Sequence, residues 1–131
     1  MTKKRNKQYR PRPVHVPMMA PTRNCVALEL RLAIEALIGA PGPETYNQLS
    51  CMFAALMRSG VTGKAIDLGT ATLVEVCDRY ERVGKVGVSG VEADDLRRAG
   101  AGLDADLCRV PLNKFREAVA VVTFHFEGMT A

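Results

Sequence analysis

Tryptophan is absent from this chain of 131 residues, and three tyrosines and four phenylalanines make up its whole aromatic content. Leu, Val, Ala and Met must therefore fill most of any core the chain builds. No acid occurs before Glu29, whereas Lys3, Lys4, Arg5, Lys7, Arg10, Arg12 and Arg23 all precede it. Past that point eleven bases face 14 acids, so a formal charge of +4 divides into a basic arm and a body of about −3. That asymmetry points to a tail that seeks an anionic partner, carried by a domain that does not. No apolar run approaches the roughly 18 residues of a membrane-spanning helix. Val14 to Ala20 is interrupted by His15 and Pro17, which excludes a secretory leader. A soluble, cytoplasmic protein with no membrane partner is the expectation.

Sites for metals and phosphates are missing as well. The two histidines lie near opposite ends, and Cys25, Cys51, Cys77 and Cys108 are at least 26 residues apart, without the short ligand spacing of a metal site. The cysteines are expected to be buried thiols within helices. A phosphate-binding loop needs glycine six places before its lysine and Ser or Thr after it. Around Lys64 those places hold Arg58 and Ala65, and around Lys85 they hold Arg79 and Val86. Gly100 and Gly102 start a dinucleotide-like pattern that fails at Ala105 and follows no strand. A thiol nucleophile, Cys77 or Cys108 assembled in space with His125, is the surviving enzymatic reading, and no flanking motif supports it. Asp94, Asp95, Asp104 and Asp106 read as a solvated helix face, the first two near a positive helix end and the neighbouring Arg97 and Arg98 pairing one turn away. We therefore expect no catalytic residue, no metal and no cofactor.

What is present is helical periodicity with clear stop signals. Val26, Leu30, Ala33, Ile34 and Leu37 form a stripe from Asn24 to Ile38, closed by Gly39 and Pro41. Pro43 and Glu44 suit a helix start, and Tyr46, Leu49, Met52, Phe53, Leu56 and Met57 follow before Gly60. Ile66, Gly69, Leu73, Val76, Tyr80 and Val83 give the most regular stripe, over Thr62 to Val83. The glycine-rich stretch from Gly84 to Gly90 predicts a turn or mobile loop. Ser89 and Glu92 have capping-box spacing and open a helix with Leu96, Ala99, Leu103 and Leu107, which Gly100 and Gly102 threaten to split. Pro111 then opens a last helix with Leu112, Phe115, Val119, Val122 and Phe126 on one face, although the β-branched run 119–126 also suits a strand. The fold class is all-α, a small bundle of four or five amphipathic helices over residues 23–131. Leu28, Leu32 and Ala55, outside the tightest stripes, suit a homo-oligomer interface.

Residues 1–22 form the arm. Pro11, Pro13, Pro17 and Pro21 disfavour helix and inner strand, so an extended leader is expected. Lys3, Lys4, Arg5, Lys7, Arg10 and Arg12, with Tyr9 placed to stack on a base, suit tracking along phosphates. Ionic contacts of this kind give affinity rather than base specificity.

The start Lys3-Lys4-Arg5-Asn6-Lys7-Gln8-Tyr9-Arg10-Pro11-Arg12-Pro13-Val14 and the late segment Leu112-Asn113-Lys114-Phe115-Arg116-Glu117-Ala118 resemble small, uncharacterised bacteriophage and prophage proteins with a basic Tyr-x-Pro arm and a helical body. That resemblance implies a phage accessory or regulatory protein in the cytoplasm of a bacterial host, and it assigns no catalytic residue. The expected partner is nucleic acid, or a complex bound to it. An acidic host protein is the other partner the arm suits; the alternative function is that the helical body, through its apolar or acidic face, inhibits or redirects a host protein, for instance in transcription or defence.

Overall fold

The computed structural model describes residue 16 and residues 18–130, with 125–130 as backbone only. Five helices follow one another: α1 (Ala20–Gly39), α2 (Pro43–Arg58), α3 (Lys64–Val83), α4 (Gly90–Asp106) and α5 (Leu112–Thr130), with a 3-10 turn at Leu107–Arg109 before the last. No strand occurs among the described residues, and the protein is an all-α bundle.

The stripes read from the sequence supply the core. Val26, Leu30, Ala33, Ile34 and Leu37 of α1 are all buried, and Leu49, Leu56, Leu96 and Leu103 from α2 and α4 are at most 1% exposed. Burying each such leucine contributes about 1.5–3 kcal/mol. Helix α1 starts at Ala20, four residues before the Asn24 start read from its stripe. Pro21 lies in its first turn, where a missing backbone donor costs nothing. Cys25 precedes the stripe and faces solvent, as does Cys108, while Cys51 and Cys77 are half-buried. The expectation of four buried thiols is thus overturned, because the helix faces turn two of them outward.

Helix α4 is continuous, and its glycines have a packing role instead of breaking it. A Cβ on Gly100 would lie 2.9 Å from Ile34 Cδ1 of α1, and one on Gly102 would lie 2.7 Å from Ala65 Cβ of α3. These positions let α4 lie close against both neighbours. The capping box forms as read: Ser89 Oγ accepts from the Glu92 amide at 3.2 Å, and Glu92 Oε1 accepts from the Ser89 amide at 2.9 Å. Glu92 is also 2.6–2.8 Å from the Arg79 guanidinium of α3. Gly84, with φ of 83°, ends α3 in the left-handed region that glycine favours. The following stretch is held in place: Arg79 Nη1 donates to the Gly87 carbonyl at 2.9 Å, and Val86 and Val88 pack on the core.

The run 119–126 is helical throughout, so its β-branched residues follow the phase set from Leu112. Among the described elements α5 rests on α2 alone, through Phe115, Ala118 and Val122 against Ala54 and Ala55. Ala55 is therefore core, whereas Leu28 and Leu32 are 57% and 59% exposed.

Candidate functional site

The residues singled out for binding, Lys3, Lys4, Arg5, Lys7, Tyr9, Arg10 and Arg12, lie outside the described residues. The structure does place their root. The Val16 amide donates to Asn113 Oδ1 at 3.2 Å, and the Val16 carbonyl accepts from the Leu112 amide at 2.7 Å. Two residues on, the Met18 side chain is 4% exposed and belongs to the main core. The chain entering α1 is thus latched to the first turn of α5.

Beside that latch, the turn joining α2 to α3 borders two shallow recesses. Arg58, Lys114 and Glu117 line one of about 370 Å³. Asp106 and Arg109 line another of about 200 Å³, and Ser59 and Gly60 border both. Gly60 reverses the chain there with φ of 106°, a conformation that glycine adopts freely. Arg58, Arg109 and Lys114 are exposed and form no ion pair among the described residues. They come from three separated segments, and no local signal in the sequence marks them as a group.

Four bases elsewhere on the body are tied to acids. Arg31 pairs with Asp104, Arg79 with Glu92, and Arg98 with Asp95. Arg97 reaches its local partner Asp94 only at 4.0 Å and makes a two-pronged contact with Glu35 of α1, both bonds at 2.9 Å. The Arg97 hydrogen bonds hold the Glu35 carboxyl below its ordinary pKa. Of the four clustered aspartates, only Asp104 clamps another helix among the described residues; Asp94 and Asp95 pair one turn away within α4, as read from the sequence.

A larger, mainly apolar concavity lies on another face of the described residues. Because α1 and α5 both lean on α2 without meeting, a groove of about 700 Å³ opens between them, walled by Leu32, Val119 and Val122 and floored by Cys51 and Met52. Val119, expected inside, is 39% exposed along this wall. Burial raises the pKa of the Cys51 thiol, which keeps it protonated and a weak nucleophile.

No family model, curated protein or solved structure matches this chain. Its chemistry must be read from the residues alone. Cys77 shares a recess with Tyr46 and Tyr80; the Tyr46 hydroxyl donates to the Leu73 carbonyl at 3.1 Å, and burial raises its pKa. The side chain of His125 lies outside the described residues. Among the described residues no group of three or more His, Cys, Asp and Glu side chains is placed to hold a metal ion, and no helix is long and apolar enough to cross a membrane.

Proposed function

We propose that this is a small, non-enzymatic accessory or regulatory protein of the bacteriophage or prophage type, working in the cytoplasm of a bacterial host. Its basic arm engages nucleic acid or a nucleic-acid-bound complex. The observation that carries this reading is the separation of charge: seven bases precede the first acid, and six of them lie on a segment whose root is latched to one end of an otherwise acidic bundle. In this reading Lys3, Lys4, Arg5, Lys7, Arg10 and Arg12 neutralise phosphates while Tyr9 stacks on a base.

The test is titration of the full-length chain with labelled duplex and single-stranded DNA and RNA across a salt series. Six neutralised phosphates give a slope of about −5 in log affinity against log salt, and on the order of a 10³-fold loss between 50 and 200 mM. Removing residues 1–15 should abolish that binding. The deletion stops there because Met18 belongs to the core and Val16 to the latch. Unchanged binding by the truncated chain would assign the affinity elsewhere.

One observation favours a second reading, in which the body inhibits or redirects a host protein. The α1–α2–α5 groove and the adjacent exposed Leu28 and Leu32 form an apolar face that no other described residue covers. Under that reading, a host protein retained by the chain stays bound after removal of residues 1–15. It is lost in the Leu32→Asp/Val119→Asp double variant, whose thermal midpoint should stay within a few degrees of the wild type because both sites are exposed.

A further inference from the structure

We infer that the nucleic-acid surface continues from the arm on to the folded body, through Arg58, Arg109 and Lys114 around the α2–α3 turn. This rests on the reading of the arm given above, and extends it to side chains carried by the folded body.

The first argument is reach. A fully extended chain spans at most about 3.6 Å per residue, so Arg12 lies within about 14 Å of Val16 and Arg10 within about 22 Å, whatever path the intervening residues take. Val16 is bonded to Leu112 and Asn113, and Lys114 is the next residue along α5. A nucleic-acid backbone gripped by Arg10 and Arg12 is thereby within reach of Lys114, and the tether raises the effective concentration of its neighbouring phosphates around the latch.

The second argument is charge. Arg31, Arg79, Arg97 and Arg98 are engaged with carboxylates and have little left to offer a phosphate. Arg58, Arg109 and Lys114 have no such partner among the described residues, and all three are exposed at the latched end. Arg23, Lys64, Arg82, Lys85 and Arg116 also form no ion pair among the described residues; Lys64 follows the same turn and Arg116 lies two residues beyond Lys114, whereas Arg82 and Lys85 lie at the other end of α3, about 27 Å along its axis from Lys64. Glu117 and Asp106 share the two recesses with the three bases. They would repel a phosphate there, so removing either charge has an effect opposite in sign to removing a base.

The experiment uses the full-length chain and the same labelled DNA and RNA. The Arg58→Ala/Arg109→Ala/Lys114→Ala variant should bind about tenfold more weakly at low salt, with the salt slope reduced by about one for each phosphate no longer neutralised. The Arg82→Ala/Lys85→Ala/Arg98→Ala variant removes the same charge away from the latch and should stay within about twofold of the wild type. Glu117→Gln should tighten binding, an outcome that damage to the fold does not produce. If the two triple variants weaken binding equally and Glu117→Gln has no effect, the body surface is wrong, while the arm reading stands provided that removal of residues 1–15 still abolishes binding. A wild-type chain that binds none of the polymers overturns both.

Discussion

Replacing Gly102 with valine should lower the unfolding free energy by about 3 kcal/mol, while Gly100→Ala should leave it unchanged or raise it by up to about 1 kcal/mol. The two glycines stand close together on α4 and look equivalent in the sequence. A Cβ at Gly102 meets Ala65 Cβ at 2.7 Å, and that atom is fixed to the α3 backbone, so the helices themselves must part. The extra methyls of valine deepen the clash. At Gly100 the obstacle is Cδ1 of Ile34, the free end of a flexible side chain, which a change of rotamer can withdraw. The helix propensity gained by alanine then offsets what that adjustment costs. Denaturant unfolding with matched slopes measures the difference. Equal stability for Gly102→Val and the wild type would mean that α3 and α4 do not approach as described.

Glu92→Ala should cost about 3 kcal/mol. The Glu92 side chain is 5% exposed, accepts from the Ser89 amide that it caps, and is in contact with Arg79, which in turn holds the Gly87 carbonyl. One substitution therefore leaves a cap open and a guanidinium without its counter-charge, at the junction of α3, the linker and α4. Glu92→Gln keeps an acceptor for the cap and should cost less, about 1–2 kcal/mol. The pH dependence identifies the ionic share. The Arg79 hydrogen bond is the largest effect and lowers the Glu92 pKa; burial opposes it, and the Ser89 amide adds a smaller lowering. A lowered folded-state pKa gives stability that is present above the ordinary carboxylate value of about 4.3 and is lost as pH falls through the folded one. The gap between wild type and Glu92→Gln should thus be full at about pH 6 and close in stronger acid. A gap that persists undiminished at about pH 2 would trace the loss to packing instead.

These two sites also show how far the sequence can be read. Ser89 and Glu92 announce a capping box through their spacing, and the stripes of α1 to α3 name most of their buried faces, because both depend on local geometry; Met57, Tyr80 and Val83, at or near the helix ends, are exposed because no described neighbour covers them. The partner of Glu92 across the interface carries no such signature. Nor do the partners of Gly100 and Gly102, which propensity alone reads as a helix break and which become packing positions once α1 and α3 are placed beside them. The strand alternative for 119–126 fails for a related reason: a segment already in helical phase on α2 gains more from burying Ala118 and Val122 than β-branching costs. Arg97 reads as a local partner of Asp94 and, beyond that long pair, also clamps α1 through Glu35. For the candidate site, composition identifies the arm. The three body bases become a group only when residues 58, 109 and 114 are brought to one turn, which no periodicity encodes.

The latch between Val16 and α5 has a consequence for the order in which the molecule is made. Val16 and Asn113 are 97 residues apart in the chain. At about 5–20 residues per second of synthesis, the N-terminal bases are made some 5–20 s before the helix that orients them has been translated. For that interval the nascent chain has its positive charge but no fixed direction for it, and the ribosome around it is itself a dense polyanion. Only when α5 settles on α2 does the segment acquire a defined exit from the body. The last helix translated therefore sets where the first residues translated can reach.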